Sequence, residues 1–171
     1  MDNFVIRKHP RPVSNKVPLN IYTDGACSNN GKPNAKAGFG VWFGENDERN
    51  ISQSYDGRQT NNVAELLAIV TALTIVKEDI EAGRIIHLYT DSDYSKRCCT
   101  TYGEKMCKKG WQNKGKDIPN REIVEVAYGF CRKYPNIKFH HIAAHTDSVS
   151  YTHLRAHETR EDLVCRLLLE K

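Results

Sequence analysis

With 171 residues, 39% apolar and 27% charged, the chain has the size and balance of one soluble globular domain with an adequate core. No apolar run approaches the ~18 residues of a membrane span, and the start, MDNFVIRKHPRPVSNK, lacks the apolar stretch of a secretory signal. The net charge of +4 is compatible with a nucleic-acid partner without demanding one.

Residues 1–17 carry two prolines and four basic side chains without periodicity, and read as a flexible basic arm. Leu19, Ile21 and Thr23 alternate with other residues, predicting a strand over 18–23. Strands over Ala37–Gly44 and Ile51–Tyr55 follow after short turns, which suggests an antiparallel meander. Thr60 or Asn61 can cap the next helix, whose apolar face is Leu66, Leu67, Ile69, Val70, Leu73 and Val76, and Gly83 ends it. Ile85–Thr90 is an apolar run without a polar face, as expected of a central, buried, parallel strand reached by a helical crossover. Residues 92–102 read as helix and Lys105–Lys116 as a basic loop or short helix. Asn120–Tyr134 reads as a helix with Ile123, Val124, Val126, Ala127 and Phe130 inward, and Ile137–Ile142 as a last strand. The order β-β-β-α-β-α-α-β predicts an α/β fold, a mixed sheet with helices packed on it.

Residues 148–171 differ from the rest. From His153 they can form an amphipathic helix with Leu154, Leu163, Val164, Leu167 and Leu168 on one side, yet no turn chemistry links them to what precedes. The six cysteines form no CxxC pair and are expected as reduced thiols. The expected setting is intracellular, cytoplasmic by default, with a nuclear or viral one left open. No hydrophobic seam points to an oligomer, so a monomer is expected.

The chemistry lies in three acids. LNIYTDGACSNNG ends a strand on Asp24, IIHLYTDSDY ends a second on Asp91, and GRQTNNVAELLAIVTAL places Glu65 in the first turns of a helix. Two carboxylates about 4 Å apart repel by roughly 4 kcal/mol at an effective dielectric near 20. A cluster of three therefore takes up protons or holds divalent cations, and oxygen ligands suit Mg²⁺ or Mn²⁺. The Asp91–Asp93 spacing also fits a DxD site of a phosphatase or nucleotide-sugar transferase, a reading that leaves Asp24, Glu65 and the RQTN stretch unexplained.

YTDGACSNNG, GRQTNNVAE, LYTDSDY, KKGW, PNREI and AAHT, in this order over about residues 18–146, resemble the successive motifs of type 1 ribonuclease H. The resemblance implies a ribonuclease H-like five-stranded mixed sheet, three antiparallel strands followed by parallel ones, in a catalytic domain over 18–147. It also implies cleavage of the RNA strand of RNA–DNA hybrids with two divalent cations. Carried residue by residue, Asp24, Glu65 and Asp91 correspond to three of four metal-binding carboxylates, and His145 to a loop histidine assisting proton transfer or product release. Cys27, Asn29, Asn30, Asn61 and Asn62 correspond to residues lining the RNA strand, where polar groups can read 2′-hydroxyls. Turn and cap chemistry is the competing role for the asparagines. Arg58, Thr60 and Asn120 correspond to a pocket for one DNA phosphate, with Thr60 also a plausible helix cap.

Arg97, Lys105, Lys108, Lys109, Lys114 and Lys116, interleaved with Tyr94, Tyr102 and Trp111, resemble the family's basic protrusion along the DNA strand. Tyr102 and Met106 stand where many relatives carry two tryptophans in the DNA channel, and Trp111 is expected in the core. The resemblance fails at the fourth carboxylate. Arg155 stands ten residues beyond His145, and the nearest acids, Asp147, Glu158, Glu161 and Asp162, lack the expected neighbours. Residues from about 148 are expected to be a non-native tail, with one of the two metals held weakly. The alternative is a divergent final helix in which one of the tail acids substitutes.

Overall fold

The computed structural model describes residues 17–142. Most of the basic arm, His145, and the tail with Arg155, Glu158, Glu161 and Asp162 lie outside the described residues. The elements in order are β1 (Leu19–Ser28), β2 (Lys36–Trp42), β3 (Ile51–Tyr55), α1 (Asn61–Ile75), α2 (Lys77–Glu81), β4 (Ile86–Thr90), α3 (Asp93–Cys99), α4 (Thr101–Lys108), β5 (Gln112–Asn113), β6 (Lys116–Asp117), α5 (Arg121–Lys133) and β7 (Ile137–His141).

The main sheet has five strands in the order β3-β2-β1-β4-β7. β1, β2 and β3 pair antiparallel, while β4 pairs parallel with both β1 and β7. β4 therefore sits inside the sheet, as its apolar run predicted. Ile86, Leu88 and Thr90 on it are buried, and the strand begins after Ile85, which is exposed. Alternation along β1 turns Leu19, Ile21 and Thr23 inward. Leu19 and Ile21 meet Leu66, Ile69, Ala72 and Leu73 of α1 and Val124 and Ala127 of α5 in one core.

β1 runs on past residue 23, where the sequence reading ended it, to Ser28, because its second half pairs with β2, so Asp24 lies within the strand. Three further departures concern the helices and the basic stretch. The first long helix is interrupted at Val76, which is buried with φ −100° and ψ 19°, before α2 runs on towards Gly83 at φ +84°. The β-branched run Thr74-Ile75-Val76 crowds the helical turn, and Thr74 Oγ1 donates back to Val70 O at 2.7 Å. The basic stretch divides between α4 and the β5–β6 hairpin. On α5, Val126 is 48% exposed where it was expected inward, because only the stripe through Val124 and Ala127 reaches the core. Trp111 is buried as expected, edge-on to Tyr128 at 5.9 Å.

Candidate active site

Backbone register brings the two aspartates together. The parallel β1–β4 pairing sets Tyr22 against Tyr89, and the same offset continued past the paired residues places Asp24 beside Asp91. Glu65 arrives from the facing helix. Thr60 caps α1, its Oγ1 accepting from Val63 N at 3.3 Å. Gly25 lets that helix touch the strand: a Cβ there would lie 2.2 Å from Glu65 N and 2.4 Å from Ala64 C. Each acid offers one oxygen, and all three lie within 4.8 Å of one another.

The three acids differ in exposure. Asp91 is exposed, Asp24 half-buried and Glu65 only 5% exposed. Burial, then the charges of Asp24 and Asp91, push the Glu65 carboxyl up to about 9, against the pull of a hydrogen bond from Gly25. Glu65 Oε2 is buried and has no hydrogen-bond partner. An orphaned acceptor inside an all-oxygen anionic cluster fits a hard divalent cation, which would satisfy the oxygen and oppose the mutual repulsion. Asp24, Glu65 and Asp91 are the residues that would hold such ions.

The asparagines cluster at one rim. Asn29, at φ 51°, makes the turn after β1, and Asn30 Oδ1 accepts from Asn61 N at 3.4 Å. That bond joins the β1–β2 turn to the start of α1, where Asn61 and Asn62 are exposed. Cys27 is half-buried nearby on β1 as a free thiol. Turn and cap geometry thus coexist with an exposed polar rim beside the acids.

The structure also gathers the residues of the predicted phosphate pocket. Arg58 Nη1 donates to Asn120 Oδ1 at 3.2 Å, and Asn120 Nδ2 donates to Tyr94 OH at 3.2 Å. Asn120 starts α5 in the left-handed region, φ 57° and ψ 30°, without capping it through its side chain. Its amide is committed to Arg58 and Tyr94 instead. Burial raises the Tyr94 hydroxyl to about 12 despite that bond, so it stays protonated. A cleft lined in part by Tyr55, Arg58, Asn120 and Arg121 opens here.

Gln59 was not singled out from sequence, although it sits inside the RQTN stretch. Its Oε1 accepts from Ala37 N, and its Nε2 donates to Tyr55 O and, at 2.9 Å, to Gly57 O. It pins the loop that presents Arg58 and Thr60. Met106 is a correction: it is 3% exposed and belongs to the core, so its side chain does not line a surface channel. On α4 only Gly103 and Met106 are fully buried, and the Trp111 amide closes on Met106 O at 2.8 Å. Tyr102 and Tyr94 are half-buried at the edge of that core.

The family model for RNase H matches residues 16–161, past the end at 147 expected from sequence. The chain is 35% identical over 134 residues to Ribonuclease H1 of Rattus norvegicus, covering 75% of this chain and 45% of that protein. It therefore spans less than half the length of that relative. It is 31% identical to Ribonuclease H of Orientia tsutsugamushi (strain Boryong), over 80% of this chain and 77% of that protein. Among solved structures, the fold resembles the foamy viral protease-reverse transcriptase in complex with RNA/DNA hybrid, with TM-score 0.66 and 20% identity over 99% of this chain and 22% of that one. It also resembles LC9-RNase H1, a type 1 RNase H with the type 2 active-site motif, with TM-score 0.63 and 17% identity over 96% and 74% of the two chains.

Proposed function

The chain belongs to the RNase H family, and from that premise we propose that it is an endoribonuclease hydrolysing the RNA strand of RNA–DNA hybrids by divalent-metal catalysis. The observation that carries this reading is the meeting of Asp24, Glu65 and Asp91 within 4.8 Å, with the buried Glu65 oxygen left without a partner. The similar foamy viral enzyme was solved with an RNA/DNA hybrid, which supports the substrate class.

In this reading Asp24, within β1, Asp91, just past the end of the adjacent β4, and Glu65, from the facing helix, would hold two Mg²⁺ or Mn²⁺ ions. Bound cations supply activation of a water and neutralise charge at the leaving 3′-oxygen. The protein's own contribution is position. Cys27, Asn29, Asn30, Asn61 and Asn62 line the RNA strand beside the acids and can meet its 2′-hydroxyls. Arg58, Thr60 and Asn120 hold one phosphate of the DNA strand, Gln59 fixing the loop and Tyr94 orienting the Asn120 amide. Tyr94, Tyr102 and the basic side chains of α4 and the hairpin flank the DNA strand.

Cleavage of a labelled RNA–DNA hybrid in Mg²⁺ and separately in Mn²⁺, beside Asp24→Asn, tests the proposal. The RNA strand should be cut by the parent chain and left intact by the variant. Full activity in Asp24→Asn would sink it. A second reading, a hybrid-binding module with weak or no turnover, rests on the sequence, where Arg155 stands at the position that the resemblance gives to the fourth acid. It predicts salt-dependent hybrid binding without cutting in either metal.

A further inference from the structure

Away from the acids, the sheet face opposite Ile21 and Leu88 carries a row of rings. Tyr22 stacks on Tyr89 at 4.7 Å and 14°, and Tyr89 stacks on His140 at 4.7 Å and 21°. At the end of the row His87 Nδ1 and His140 Nε2 stand 2.7 Å apart. The two histidines lie on neighbouring parallel strands, β4 and β7, where His87 pairs with Lys138 and His140 with Tyr89. Strand alternation puts both on the same face, diagonal to each other.

We infer that His87 and His140 form a second metal site, an imidazole pair that takes a borderline divalent cation such as Zn²⁺, Ni²⁺ or Cu²⁺ in place of the proton they share. The geometry is close to what such an ion needs. A tetrahedral ion about 2.05 Å from each nitrogen sets the nitrogens about 3.3 Å apart. The rings therefore open by about 0.6 Å from the present 2.7 Å, a small side-chain adjustment on two half-exposed residues. Imidazole nitrogen binds these ions and has little affinity for Mg²⁺, whereas the all-oxygen carboxylate cluster also accepts Mg²⁺ and Mn²⁺. The two sites share no ligand: His87 precedes Asp91 by four residues, about 13 Å of strand, and His140 is level with Tyr89, two residues or about 7 Å before it. Water fills the remaining coordination positions.

The groups around the pair set its strength. Burial, then the charges of His87 and Lys96, lower the pKa of His140, which favours its neutral, metal-binding ring. The Lys96 ammonium also opposes a bound cation. A bound ion ties the edge strand β7 to β4, so it stabilises the fold in proportion to its occupancy.

The test uses the full 171-residue chain, with zinc chloride and copper(II) chloride as probes and magnesium chloride as control. Thermal unfolding should shift upward with Zn²⁺, and the Cu²⁺ electron paramagnetic resonance spectrum should show coupling to two imidazole nitrogens. The imidazole coupling should disappear in His87→Gln and in His140→Gln, persist in Asp24→Asn, and titrate at lower metal concentration in Lys96→Met, while the Zn²⁺ shift should shrink in both histidine variants to the share that the acids give. Glutamine can keep a hydrogen bond to the remaining ring, and metal-free unfolding confirms that each variant is folded. Unchanged binding in both histidine variants places the metal on other histidines or thiols and overturns the inference. So does loss in Asp24→Asn alone.

Discussion

Replacing Gly25 by alanine tests how tightly the candidate site is built. The added Cβ would stand 2.2 Å from Glu65 N, 2.4 Å from Ala64 C and 2.7 Å from Glu65 Cα, all atoms of helical backbone. Ordinary contact at about 3.4 Å requires β1 and the start of α1 to part by about 1 Å. Neither side gives easily, because Asp24 and Ala26 flank Gly25 in the β1–β2 ladder and α1 is anchored by the buried Val63, Leu66 and Ile69. Overpacking of this kind costs about 1–3 kcal/mol. The functional loss should exceed the stability loss, since a displacement near 1 Å in a reacting constellation can lower the rate about 100-fold. Gly25→Ala should therefore melt lower than the parent in EDTA and cut a labelled hybrid about two orders of magnitude more slowly in Mg²⁺. A variant with the parent's melting temperature and cleavage within threefold would show that α1 does not pack on β1 as described.

Other changes probe separate parts of the same structure. In EDTA, Glu65 should make stability fall as pH rises. Its folded pKa of about 9 lies above the ordinary carboxyl value of 4.5, so the folded state holds the extra proton between those values and stability is lost across that window. Glu65→Gln should flatten the slope and gain on the order of 3 kcal/mol at pH 7 in urea unfolding; an unchanged slope would refute the burial argument. Gly129→Ala, exposed on α5 with nothing within 4 Å of the new Cβ, should add about 0.8–1 kcal/mol through helix propensity, and a loss of stability would contradict the open space. Arg58→Ala should weaken hybrid binding about tenfold and lower the salt-dependence slope by about 0.9, the share of one phosphate. An unaltered slope would place Arg58 away from the backbone.

Much of this molecule could be read without coordinates because local pattern and tertiary role coincide in it. Asp91 follows an apolar strand pattern and does stand just past the end of β4, whereas Asp24, read as a strand end, lies inside β1, because pairing with β2 carries that strand on to Ser28. Glu65 lies just inside a capped helix whose apolar face must pack on the sheet. Where one sequence pattern serves two environments, the reading fell short. Met106 and Val126 are equally apolar in sequence, yet packing buries the first and exposes the second, because a helix meets the core along a stripe narrower than its apolar residues suggest. Gln59 and Tyr94 owe their positions to hydrogen bonds with residues far along the chain, Ala37 and Asn120, and no local period encodes such a bond.

Periodicity, caps and residue chemistry act over a few residues, so most strands and helices, the acids that they carry and the family to which the motifs belong could be read from the chain alone. Only the tertiary structure decided that the offset between β1 and β4 aligns Asp24 with Asp91, and that Gly25 admits Glu65 to the same cluster. It likewise decided that His87 and His140 meet across two parallel strands. Each of these depends on strand register and on close approach between elements, which are set by how whole faces bury against one another rather than by any single segment.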